Sequence, residues 1–88
     1  MAEFIPADKD KDITQIKPTE NKFSIEELKK LLKYSVLDIS NVDGTYVIVT
    51  DAEAYDKLDT CFNPLATVLS SNLTMGDAIL CKKQELEY

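Results

Sequence analysis

The 88-residue chain has no histidine, no arginine and no tryptophan, and only two glycines and two cysteines. The missing histidine removes the commonest general base and the commonest metal ligand. With no arginine, all ten cations are lysines, and the planar fork that suits phosphate is absent. Gly44 and Gly76 stand alone, so no glycine-rich loop can cradle a phosphate. Cys61 and Cys81 have no metal-ligand spacing and sit in apolar company, which predicts reduced, buried thiols in a cytosolic protein, with a disulfide between them as the alternative. A nucleophilic cysteine needs a basic neighbour; Cys61 has Asp59 nearby, and Cys81 ends an apolar run beside Lys82. No apolar run suits a membrane span or a signal peptide, and the first residues are acidic, so the chain reads as cytoplasmic with no membrane partner.

What is present is an ordinary globular composition, 44% hydrophobic and 30% charged. A chain of this size forms one domain that buries roughly 60–65% of its unfolded surface. Sixteen acids against ten bases give a net charge of −6, which argues against direct nucleic-acid binding. Six of the acids, Asp38, Asp43, Asp51, Glu53, Asp56 and Asp59, crowd one stretch that holds a single base, Lys57. The spacing does not make a calcium loop, because Ala52, Ala54 and Tyr55 occupy positions where an EF-hand needs ligands. A solvated acidic loop is the expectation, with no cofactor and no metal.

The chain divides into an N-terminal arm (1–12), one domain (13–82) and a polar tail (83–88). Phe4-Ile5-Pro6 is a small apolar knot ahead of alternating Asp and Lys residues. The arm is either solvated or docked through Phe4 and Ile5 on the domain or a partner. Residues 13–17 suit a short strand ended by Pro18. Ser24 with Glu27 forms a capping box, Phe23 can staple onto Leu28, and Ile25, Leu28, Leu31 and Leu32 make one apolar stripe. The helix should end near Lys33 or Tyr34.

Asp43-Gly44 then separates two β-rich runs and predicts a hairpin with a two-residue type I′ turn. That register sets Ile39 opposite Ile48 and Asp38 opposite Val49. Leu37, Ile39, Tyr46 and Ile48 would share one face, and Asp38, Ser40, Val47 and Val49 the other. The returning strand is apolar on both faces and reads as an inner strand. A single helical turn fits within 51–59. Asn63-Pro64 opens a second helix with Leu65, Val68 and Leu69 as its apolar side, and residues 78–81 form a last strand. The order βαββαβ predicts an α+β fold: a small antiparallel sheet of three to four strands with two helices on one face, ferredoxin-like in topology.

Phe23-Ser-Ile-Glu-Glu-Leu28, the Asp-Gly hairpin followed by Tyr-Val-Ile-Val, Asn63-Pro-Leu-Ala-Thr-Val-Leu69 and Gly76-Asp-Ala-Ile-Leu80 occur here in a fixed order. In that order and spacing the chain resembles a small bacterial and phage family known only as a domain of unknown function. With the strand at 13–18, the resemblance covers the last 76 residues. The arm and the acidic extension at 52–59 lie outside it. The resemblance implies a phage or mobile-element setting, hence host cytoplasm or virion, and carries over no activity and no site residues.

No catalytic set stands out, so the expectation is a non-enzymatic protein–protein interaction module, either a virion or assembly component or an acidic inhibitor of a host protein. Candidate partner contacts are Phe4, Ile5, Asp38, Val47, Val49, Asp51, Glu53, Asp56 and Asp59. In the assembly version the arm docks on a neighbouring subunit, and its removal spares the fold. A small-molecule binder that sequesters a nucleotide signal is the alternative.

Overall fold

A computed structural model describes residues 2–8, 10–53 and 61–86. The elements run β1 (Ala2–Ile5), β2 (Thr14–Ile16), α1 (Ile25–Leu32), β3 (Leu37–Asn41), β4 (Tyr46–Asp51), α2 (Pro64–Ser70) and β5 (Ala78–Lys82), followed by a 3₁₀ turn, Lys83–Glu85. The fold is α+β, with a five-stranded sheet in the order β2-β1-β5-β4-β3 and every neighbouring pair antiparallel.

Three features differ from the sequence reading. First, the expected arm supplies an inner strand. β1 pairs with β2 on one side and β5 on the other, Ala2 and Ile5 are buried, and the element order becomes ββαββαβ. The Phe4-Ile5 knot is core, held by main-chain ladders as well as by its side chains. The tail is likewise engaged. Leu86 is buried, and Phe23 N–H donates to Glu85 O at 2.7 Å, so the folded unit extends beyond both expected ends, 13 and 82.

Second, the hairpin register is shifted by one residue. Ile39 faces Val49 and Ser40 faces Ile48, and the ladder closes where Val42 N–H donates to Tyr46 O at 3.0 Å. A type I′ turn would put both Asp43 and Gly44 at positive φ, and neither is there. Instead the Asp43 carboxylate accepts from Thr45 N–H (2.7 Å) and Tyr46 N–H (2.8 Å), drawing Thr45 into the loop. Those two donors hold the Asp43 carboxyl below its ordinary value. Because side chains alternate along a strand, the shift exchanges the faces of β4 relative to β3.

Third, the helices lie on opposite faces. α1 covers Val47, Val49, Ile79 and Cys81, together with Phe23, Leu28, Leu32 and Leu86. α2 lays Ala66 on Ile48 and Ala78. The physical reason is in β4 and β5. Both are apolar on both faces, so each face needs a cover. The second cover is partial, leaving Leu80 half-buried and Glu3 exposed.

The helix ends follow the sequence closely. Ser24 Oγ accepts from Glu27 N–H at 3.1 Å, as a capping box requires. The Glu27 carboxylate turns away from the box and accepts from the N–H and hydroxyl of Thr19, tying the preceding loop to α1. Lys33, at φ 63°, closes the helix in the left-handed region. Leu31 is the member of the apolar stripe left exposed.

Candidate functional site

The site with the clearest chemical character is the outer side of α2 with the groove beside it. Its position is set by Asn63. The Asn63 Oδ1 caps the helix by accepting from Ala66 N–H at 3.1 Å, while Nδ2 donates to Ile5 O (3.1 Å) and Gly76 O (2.9 Å). One buried amide therefore ties α2 to the end of β1 and the approach to β5. Gly76 sits at φ 84°, a conformation that suits glycine, and its N–H donates to Cys61 O at 2.7 Å. At the other end, Ser71 leaves the helix at φ 60° and the chain folds back beneath it. Thr74 N–H donates to the Thr67 hydroxyl at 2.9 Å, and the Ser70 and Thr74 hydroxyls lie 3.3 Å apart.

Ala66 and Ser70 thus face the sheet, with Leu69 packed beside them, while Leu65 and Val68 turn outward. Leu65 is 41% exposed and Val68, one turn on, 75%. Phe62 and Leu73, on either side of the helix in sequence, are exposed as well. From Phe62 to Gly76 there is no charged residue, in a chain where 30% of residues are charged. Leu65 and Pro64 also wall a groove of about 230 Å³ with Ile5, Pro6 and Ile13, with Lys11 beside it.

The sequence pattern placed Leu65, Val68 and Leu69 on the inner side, and of these Leu69 alone packs inward. A helix with no charge has no polar side to orient it. The available signal was the small pair Ala66 and Ser70, four residues apart, which lets a helix lie close on a sheet.

The nine candidate contacts do not form one patch. Val47 and Val49 are buried under α1, which excludes them as surface contacts; Ile5 is buried as well and reaches the surface only as a wall of the groove beside Leu65, and Phe4 is half-buried against the α1-side core. The one-residue shift of the hairpin sets Val47 and Val49 on the face of Leu37 and Ile39, beneath α1. Asp51 is buried at the end of β4, where its Oδ1 accepts from Glu53 N–H at 2.9 Å. Glu53 and Asp38 are exposed. Asp56, Asp59 and the suggested helical turn at 51–59, apart from 51–53, lie outside the described residues. Asp38, Ser40, Thr50, Ser70 and Thr74, with the apolar Leu73 and Met75, line a cleft of about 120 Å³ on the α2 face. Among the described residues, no three His, Cys, Asp or Glu side chains gather as a metal site. Among them, too, no helix is long and apolar enough to cross a membrane.

The other perturbed groups are structural in placement. Tyr34 donates to Asp77 O at 3.0 Å, and burial, then the Asp77 and Asp51 carboxylates, push its hydroxyl up to about 12. Asp77 Oδ1 in turn accepts from Ala7 N–H at 2.8 Å.

The two cysteines are free and differ in environment. Cys61 is exposed, contrary to the expectation of two buried thiols, whereas Cys81 is fully buried. Burial, then the nearby Glu85 carboxylate, push the Cys81 thiol up to about 12. A thiol reagent should therefore label one cysteine per native chain, Cys61, and reach Cys81 only on unfolding. Mass spectrometry after timed alkylation reads this directly, and two equally fast modifications would contradict the placement. An unfolded thiol ionises near 9.0 and Cys81 near 12, so its contribution to stability is complete below pH 9.0 and lost as pH rises toward about 12.

Comparison with protein-family models, with curated proteins and with solved structures returned no match.

Proposed function

We propose that the protein is a non-enzymatic interaction module that binds a protein partner through the outer side of α2. The observation that carries this reading is the uncharged run from Phe62 to Gly76, which presents Leu65 and Val68 to solvent. Burying such a surface desolvates no ionised side chain, whereas covering most other parts of this chain would. The groove beside Leu65 suits an apolar anchor residue of the partner, with one acid, Asp8, and one base, Lys11, at its rim. A phage or mobile-element setting, with a host protein or an assembly subunit as partner, rests on the sequence resemblance.

The test is Val68→Glu, alone and with Leu65→Glu, in co-purification from the source cells. Both positions are exposed, so thermal stability should change by less than about 0.5 kcal/mol for the single variant. Loss of a partner that the wild-type chain retains is the expected result. Retention of that partner by the double variant would move the interface elsewhere.

The acidic-inhibitor version differs in its salt response, since opposed charges weaken steeply as salt rises and an apolar contact does not. The nucleotide-signal alternative gains no support from the cleft on the α2 face, whose charged lining, Asp38 and Asp51, is acidic.

A further inference from the structure

Asp43-Gly44 is the one Asp-Gly pair in the chain, and both residues are exposed at the tip of the β3–β4 hairpin. Such a pair carries a reaction of its own. The glycine main-chain nitrogen can attack the aspartic acid Cγ, because no Cβ on the glycine blocks the approach. The nitrogen gives up its proton, the side-chain hydroxyl leaves as water, and a five-membered imide forms. Water then opens the ring. Addition at Cγ restores aspartate. Addition at the main-chain carbonyl leaves isoaspartate, with the chain running through the side chain and no net change in mass.

Three features of the folded loop oppose ring closure. Asp43 Oδ1 accepts from Thr45 N–H (2.7 Å) and Tyr46 N–H (2.8 Å), both beyond Gly44, so the carboxyl is held toward the returning strand. The main chain on either side is held too, since Val42 N–H donates to Tyr46 O at 3.0 Å and Lys83 N–H to Thr45 O at 2.9 Å. Finally, the Tyr46 and Thr45 donors keep the carboxyl ionised to lower pH, and a carboxylate has no hydroxyl to lose.

We propose that Asp43-Gly44 is an isoaspartate-forming modification site that the folded hairpin guards and that opening of the hairpin releases. Isoaspartate would insert a methylene into the main chain and move the free carboxylate onto Cα. The acceptor that sets the hairpin register is then displaced, so a chain that isomerises while open does not regain the pairing of Ile39 with Val49. The site shares no residue with the outer side of α2, so the two proposals stand or fall independently.

The test ages the full-length chain at physiological temperature and neutral pH, folded and in concentrated guanidinium chloride. Chromatography of proteolytic peptides locates the isomer, and enzymatic methyl transfer from S-adenosylmethionine to its free α-carboxylate counts it. The unfolded chain should accumulate isoaspartate at position 43 roughly tenfold faster than the folded one, as expected where ring closure waits for local opening. Gly44→Ala should fold normally, because its Cβ meets nothing within 4 Å and its φ is not positive. That variant should form little isoaspartate in either state, which assigns the reaction to this pair. Asp43→Asn keeps Oδ1 as acceptor and cannot ionise, and its ring closure releases ammonia in place of water. It should stay protected when folded, since the two donors still hold Oδ1. The two states of the wild-type chain decide without any variant. Equal rates in both, or no isoaspartate at position 43 in either, overturn the proposal.

Discussion

Deletion of residues 1–12 is expected to abolish the cooperative fold. β1 is an inner strand with three register pairs to β2 and three to β5, and its Ala2 and Ile5 are buried. Removing it withdraws Ile5 and Phe4 from the core, worth about 1.5–3 kcal/mol for a fully buried side chain of that size. It also detaches β2, opens one side of β5, and takes away the acceptor Ile5 O that Asn63 uses. A domain of this length has a total stability of roughly 5–13 kcal/mol, so the combined loss approaches the whole. Circular dichroism through a thermal ramp should show a truncated chain with no sharp transition. A docking arm of the kind the sequence suggested would leave that transition intact, which makes the two views easy to separate. A truncated chain that loses association must therefore be shown to be folded before the loss means anything about partners.

Replacing Asn63 by alanine is expected to cost about 3 kcal/mol. The change removes a helix cap, worth ~1 kcal/mol. It also strands the Ile5 and Gly76 carbonyls in a site where Asn63 is 1% exposed, at about 1–3 kcal/mol for an unsatisfied buried group. Asn63→Ser separates the contributions, because a serine hydroxyl can still cap but is too short to reach both carbonyls. It should recover about 1 kcal/mol of the loss and no more. Asn63→Asp keeps the acceptor and aims a carboxylate at two carbonyl oxygens, so it should be at least as damaging as alanine at neutral pH. Urea denaturation midpoints of the three variants measure these differences. Equal stability of the alanine variant and the wild type would mean that the amide does not tie β1 to α2.

The helices and the central strands were legible because their signals are local. Ser24 with Glu27, Asn63 with Pro64, and the apolar runs in β4 and β5 each announce an element within a few residues. The hairpin register was not, because it turns on how Asp43 spends its carboxylate. Asp-Gly favours a two-residue loop by backbone preference, and two side-chain hydrogen bonds were enough to favour a longer one. That single residue decided which face of the sheet Val47 and Val49 share with Leu37 and Ile39; their burial follows from β4 being covered on both faces. The role of β1 escaped for a different reason. Ala-Glu-Phe-Ile is too short for a period to show, and its place depends wholly on β2 and β5, distant in sequence. Asn63 was readable as a cap, but its two long-range bonds to Ile5 and Gly76 have no sequence signature at all.

The strand order has a consequence for how the chain comes together. β1 with β2, and β3 with β4, are near neighbours in sequence and can each close as a hairpin on the microsecond scale. Among the described residues, the two hairpins are joined in the sheet by β5 alone, which follows both in sequence and inserts between them. On a ribosome, then, the earlier strands emerge as two unconnected ribbons, each with an open inner edge, until residues 78–82 are made. Assembly works like a keystone, with the last strand fixing at once the separation, tilt and facing of everything before it. The edges that wait for it, β1 on one side and β4 on the other, are the surfaces a nascent chain most needs shielded.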